Sequence, residues 1–169
     1  MRSQPARNYI SDDVVMTPML LAAALARVLN PAGTILEPCA GDGAFLAALQ
    51  PYGEVRTCEI SIGHDFFGWI TPVDWIITNP PWSRFRHFLE HSLMLAPEIA
   101  MLATVNHWWT RRRVSMVLKA GYGYKRLWLI TPWPEEFPSS GFQLGLMHIS
   151  KGYQGPTEIQ SLLWCPRET

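Results

Sequence analysis

The run Val73-Asp74-Trp75-Ile76-Ile77-Thr78 stops at two consecutive prolines, in Asn79-Pro80-Pro81-Trp82. No other stretch constrains the fold as tightly. A short run of β-branched and aromatic residues reads as a buried strand. Neither proline can donate to a sheet ladder, so the strand ends there. In an open α/β sheet, residues at that carboxyl end project into the crevice where ligands bind. They offer an amide side chain, carbonyls that no helix can take up, and a flat indole. That set suits an amino group on a planar ring, with acceptors for its N–H groups and an aromatic face to stack on.

Strands and helices alternate along the rest of the chain. Thr17 can cap a helix with Pro18 at its first position, running from Met19 to Leu29 and ended by Asn30-Pro31-Ala32-Gly33. Thr34–Glu37 and Glu54–Glu59 read as short strands, and a helix opens at Ala44. Further helices are expected over Phe85–Ala96 and Trp108–Ala120, with strands at Ile99–Val105, Lys125–Thr131, Phe142–Ser150 and Ile159–Trp164. The pattern predicts an α/β fold with a mostly parallel sheet of about six to seven strands, helices on both faces and a C-terminal antiparallel hairpin. Residues 1–16 read as a poorly ordered lead-in and 17–169 as one domain, a length sufficient for a sizeable core.

Composition removes several function classes. Hydrophobic residues make up 48% of the chain, which argues against disorder. No apolar run reaches the roughly 18 residues that span a bilayer, and Met1-Arg2-Ser3-Gln4-Pro5 is not an apolar signal region. A cytoplasmic protein is expected. Cys39, Cys58 and Cys165 form no CxxC pair, and their odd number argues against a disulfide framework or structural zinc. His87 and His91 lack the glutamate of an HExxH motif, so no metal is expected.

The zero net charge hides an asymmetry. Between Trp82 and Arg126 lie Arg84, Arg86, Arg111, Arg112, Arg113, Lys119, Lys125 and Arg126, against Glu90 and Glu98 alone. Between Gly33 and Asp74 the acids Glu37, Asp42, Glu54, Glu59, Asp65 and Asp74 face only Arg56. One half suits a polyanion, the other a ligand with hydroxyl and cationic groups.

A second motif, Glu37-Pro38-Cys39-Ala40-Gly41-Asp42-Gly43-Ala44-Phe45, joins a strand to a helix through a glycine turn. Glycine permits φ > 0 and lets a ligand approach the backbone. The spacing is not GxGxxG and no phosphate lysine follows, so a dinucleotide or P-loop reading is poor. With Asn79-Pro80-Pro81-Trp82, this segment resembles motifs I and IV of S-adenosylmethionine (SAM)-dependent amino-methyltransferases, in the order of the γ-type DNA adenine-N6 enzymes. The resemblance implies a Rossmann-like SAM-dependent methyltransferase sheet and SAM as cofactor. It places Glu37 through Gly43 and Phe45 around the SAM methionine and ribose. It likens Tyr9 and Thr17-Pro18 to motif X, near the methionine end. Glu59, with Ile60 beside it, matches the acid that accepts from the ribose hydroxyls, and Asp65-Phe66 the pair that contacts the adenine. Only five residues separate Glu59 from Asp65, where relatives usually fit a helix and part of a strand, so this region is expected to be trimmed, leaving a reduced sheet of about six strands.

The resemblance also implies a reaction. Asn79 and the Pro80 carbonyl would accept the amine's N–H groups, and Trp82 would stack on the base. Pro81 completes the motif, and Asn79 also borders the cofactor. The implied partner is nucleic acid, DNA before RNA, held by phosphate contacts from Arg84, Arg86 and Arg111 to Arg113. Trp133, in a loop rich in Pro and Ser, is expected to be an exposed stacking residue. Trp108 and Trp109 read first as core. The leading expectation is adenine-N6 methylation of DNA by a compact enzyme of phage or mobile-element type. Such an enzyme either recognises a short site, has little sequence preference, or borrows recognition from a protein partner. RNA base methylation (adenine N6 or guanine N2), protein glutamine-N5 methylation and an inactive SAM-binding subunit are the alternatives. Cytosine-N4 enzymes usually carry Ser or Asp where this chain has Asn79.

Overall fold

The structure, a computed structural model, describes residues 15–166. Its centre is a seven-stranded sheet of β1 (Gly33–Glu37), β2 (Gly53–Thr57), β3 (Trp75–Thr78), β4 (Glu98–Thr104), β5 (Tyr122–Thr131), β6 (Leu144–Lys151) and β7 (Glu158–Leu163). The order is β2-β1-β3-β4-β6-β5-β7. Pairing is parallel from β2 across to β4. β6 runs antiparallel to both β4 and β5, and β7 returns parallel to β5.

Helices cover both faces, because successive strand residues point opposite ways. Ile35, Ile77, Ala100 and Leu102 share a core with Leu21 and Leu25 of α1 (Met19–Leu29) and Phe45 of α2 (Ala44–Leu49). Their neighbours Leu36, Ile76, Ile99 and Met101 share the other core with Phe85 and Leu89 of α3 (Phe85–Leu95) and Val117 of α4 (Arg111–Lys119). The two-sided burial accounts for the near-continuous apolar runs of β3 and β4. No helix among the described residues is long and apolar enough to cross a membrane.

The structure corrects two element boundaries. Thr17 does not cap α1: Pro18 occupies that position and no side chain caps the helix. The helix expected from Trp108 begins at Arg111, where the Thr110 hydroxyl accepts from Arg113 N–H at 3.4 Å. Trp108 precedes that cap because it is locked in the core at 0% exposure.

The expected trimming is visible. Between Glu59 and Asp65 the chain makes one 3-10 turn, Ile60–Ile62, and a single bridge from Glu59 to His64. No described strand lies outside β2, so β2 is a sheet edge; β7 restores the seventh strand at the opposite edge. The chain leaves β1 to one side for β2 and returns on its other side as β3. That reversal opens a crevice at the carboxyl ends of β1 and β3, the position where doubly wound sheets bind ligands.

Candidate active site

At the crevice floor, Glu37 ends β1 at 1% exposure. Its Oε1 accepts from the Cys39 N–H (2.8 Å) and from the Thr78 hydroxyl (2.6 Å), tying the end of β1 to the end of β3. Its Oε2 has no partner among the described residues. Burial pushes the Glu37 carboxyl up to about 8, against the two hydrogen bonds that favour its charge. Glu37 is therefore a latch beneath the site whose burial favours the protonated form, and it does not line the cleft above.

Beyond it the chain turns through Pro38 to Gly43. Gly41 adopts φ +52°, and a Cβ there would sit 2.9 Å from Met16 Sδ. Its N–H donates to Glu59 Oε2 at 2.9 Å, while Glu59 Oε1 accepts from Ser61 N–H at 3.0 Å. The Ser61 and Gly41 backbone donors hold the Glu59 carboxyl below the usual carboxylate range, so an ionised acceptor faces the cleft. Gly43, at φ +88°, starts α2.

This turn borders a cleft of about 760 Å³, counted to its open mouth and also lined by Ile60, Asp65, Phe66, Phe67, Asn79, Pro81 and Arg84. An adjoining recess of about 240 Å³ is lined by Thr17, Ala40, Asp42, Phe45 and Asn79. Asp65 Oδ1 caps the turn Phe66–Gly68 by accepting from Phe67 N–H at 3.0 Å. Phe66 is 2% exposed and stacks on Phe88 at 5.2 Å, so Phe67 is the more accessible ring. Cys39 lines the cleft with its thiol pushed up by burial, which makes it a packing group. Pro18 borders a separate groove that it shares with Pro132 and Trp133. Tyr9 lies outside the described residues.

Asn79 stands where β3 meets the cleft. Its Nδ2 donates to the Val15 carbonyl at 3.0 Å and to Thr17 Oγ1 at 3.2 Å. A backbone carbonyl can only accept, so this pairing fixes which way the amide faces. Oδ1 accepts no hydrogen bond among the described residues. Pro80 is buried, and Trp82 opens a 3-10 turn, Trp82–Arg84, closed by Arg84 N–H to the Pro81 carbonyl at 3.0 Å. The Trp82 ring lies 5.7 Å from His107 and 5.9 Å from Phe137.

Phe137 was not singled out in the sequence. It lies between β5 and β6, 4% exposed, and packs against Trp82 across a long gap in the chain. Its signal was a lone aromatic amid Glu135, Glu136, Ser139 and Ser140, which a surface loop does not need. The same turn corrects the expectation for Trp133. Its indole N–H donates to the Phe137 carbonyl at 3.2 Å, and its ring is half-buried against the α1 core rather than exposed.

The arginines separate into two kinds. Arg86 reaches Glu90 at 3.6 Å, and Arg113 donates to the His107 carbonyl at 2.9 Å with its guanidinium over Phe85. Burial, and then Arg86 nearby, lower the Arg113 pKa. Arg111 and Arg112 are exposed in the first turn of α4. Arg84 is exposed at the cleft with its guanidinium over Phe67. Among the described residues no group of three or more His, Cys, Asp or Glu is placed to hold a metal ion.

No protein-family model matches the chain, and no curated protein matches it in sequence. Solved structures match its fold. A candidate RNA methyltransferase from Pyrococcus horikoshii aligns at TM-score 0.62 and 16% identity, over 81% of this chain and 86% of that one. A candidate class I SAM-dependent methyltransferase from Listeria monocytogenes aligns at TM-score 0.67 and 14% identity, over 92% of this chain and 68% of that one. The modification subunit of a candidate type I restriction enzyme from Vibrio vulnificus aligns at TM-score 0.57 and 14% identity, over 91% of this chain and 48% of that one. The architecture is that of the class I SAM-dependent methyltransferases, a Rossmann-like α/β sheet with antiparallel pairing toward its C-terminal end.

Proposed function

We propose that this protein transfers a methyl group from SAM to the exocyclic amino group of a nucleic-acid base, with adenine N6 in DNA as the leading substrate. The observation that carries the reading is the orientation of Asn79. Both of its amide hydrogens are taken by Val15 and Thr17, and its oxygen is left for a donor at the cleft. A group built to bind an amine, and unable to donate to it, is what methylation at nitrogen requires.

The donor set of the cleft fits the cofactor. The ionised Glu59 retains acceptor capacity for a ribose diol, and Asp65 Oδ2 can accept from the adenine amino group. Gly41, with no Cβ, lets a ligand approach the turn. SAM, when bound, supplies a methyl group on a sulfonium that leaves as a neutral thioether. Asn79 Oδ1 and the Pro80 carbonyl accept the two N–H bonds of the amine, drawing its ring-conjugated lone pair back onto nitrogen. These bonds strengthen as positive charge develops there, so they act on rate. Trp82 stacks on the base and Phe137 holds the indole in place.

A duplex base must leave the stack to reach this site. Arg111 and Arg112, exposed in the first turn of α4, are suited to the flanking phosphates, and a protein partner would supply target recognition beyond a short site. The Vibrio fold neighbour is the modification subunit of a candidate type I restriction enzyme. The Pyrococcus neighbour supports RNA base methylation as the second reading. The test is methyl transfer from labelled SAM to duplex DNA, single-stranded DNA and RNA, with nucleosides identified by mass. N6-methyladenine in DNA is expected. Label in RNA alone moves the reading to RNA, and no label in any nucleic acid refutes it.

A further inference from the structure

Arg84 reads in the sequence as one more phosphate contact, but the structure sets it at the cofactor cleft. It ends the turn Trp82–Arg84, and its backbone is pinned to the Pro81 carbonyl. Its guanidinium carbon lies 4.8 Å from the centre of the Phe67 ring. Both residues line the cleft that also holds Glu59, Asp65 and Asn79. Phe67 is itself braced edge-on by Phe88 at 5.1 Å, so this end of the cleft is a rigid aromatic wall with a cation laid on it. Among the described residues no carboxylate reaches the Arg84 side chain closely enough to neutralise it.

We propose that Arg84 is a cofactor-binding residue that closes over the face of the adenine ring of SAM, and not a nucleic-acid contact. The inference rests on the cofactor reading of the cleft. A planar guanidinium stacks on an aromatic face as no ammonium can. Adenine brings a π face for Arg84 and an exocyclic amine for Asp65, whose Oδ1 is already engaged with Phe67 N–H at 3.0 Å. A phosphate would gain from the charge of Arg84, but it would meet the carboxylates of Asp65 and Glu59 in the same cleft.

The test measures S-adenosylhomocysteine and adenosine binding by calorimetry, alongside the salt dependence of nucleic-acid binding. The chains compared are wild type, Arg84→Ala, Arg84→Lys and, as a control, Arg111→Ala. Arg84→Ala is expected to weaken both ligands about 5- to 30-fold, the scale of a desolvated cation–π contact. Arg84→Lys is expected to recover only part of that loss. The salt slope should match wild type in both Arg84 variants and fall in Arg111→Ala. Wild-type ligand affinity in Arg84→Ala overturns the inference, as does a salt slope reduced by about one, the mark of a lost phosphate contact. A wild-type chain that binds neither S-adenosylhomocysteine nor SAM fails at the reading beneath it, and the inference falls with it.

Discussion

The two sides of the crevice are built by different physics. On the cofactor side, carboxylates are bound by backbone N–H groups within a few residues or one strand away: Glu37 by Cys39, Glu59 by Ser61 and Gly41, Asp65 by Phe67. On the target side, rings are held by other rings far along the chain, Trp82 by His107 and Phe137. The first side is made of turns that a short sequence can encode. The second exists only after the sheet has closed. Damage to the first should stay local and read mainly as cofactor affinity, whereas damage to the second should couple stability to rate.

The sharpest challenge to that division is Phe137→Ala. Emptying a buried aromatic site should cost about 3–5 kcal/mol in denaturant unfolding. Turnover should drop too while S-adenosylhomocysteine affinity holds, and a variant that loses only cofactor affinity breaks the comparison. Asn79→Ala comes next. It should lower turnover about 10²- to 10³-fold, the scale for losing one preorganised transition-state contact, with cofactor binding changed by no more than a few-fold.

Glu37→Gln tests the latch through pH. The folded-state value of Glu37 is raised from 4.5 to about 8, so the folded chain binds a proton that the unfolded chain releases. Its stabilisation is complete below the unfolded value and is lost as pH rises towards 8. Wild type should therefore lose stability relative to Glu37→Gln by about 1.4 kcal/mol per pH unit across that window. Parallel pH curves for the two chains would show that Glu37 is ionised in the fold.

Gly41→Ala should cost about 1–2 kcal/mol, since a side chain is strained at positive φ. The new methyl also meets Met16, so cofactor affinity falls with stability. The smallest effect belongs to Arg111→Ala and Arg112→Ala. Each should flatten the salt slope of nucleic-acid binding by about 0.9 if it meets a phosphate, with the melting temperature unmoved.

The same division explains what could be read from the sequence. The alternation of strands and helices, the turn at Gly41 and the trimmed interval after Glu59 are local patterns, and the structure carries all three. Thr17 was placed near the site by resemblance but given the wrong local task. Its hydroxyl serves Asn79, 62 positions away, and no helix start reveals that. Trp133 looked exposed because its neighbours are Pro and Ser. Phe137, four residues on, turns it inward, and nothing in the loop's composition signals which aromatic will face the core. Arg86 and Arg113 belong to a basic stretch, yet Arg86 pairs with Glu90 on its own helix and Arg113 with the His107 carbonyl, because charge counts carry no direction.

The anchor of Asn79 to the Val15 carbonyl has a consequence for how variation in this chain should be read. A main-chain oxygen is contributed by every amino acid, so replacing Val15 leaves that half of the tether in place. A complete substitution scan of position 15 would report only on how its side chain packs, and the aiming of the amide would go unrecorded. Removing or adding one residue between Val15 and Pro18 changes which oxygen arrives. Single-residue deletions would expose a dependence on chain spacing that point substitutions pass over.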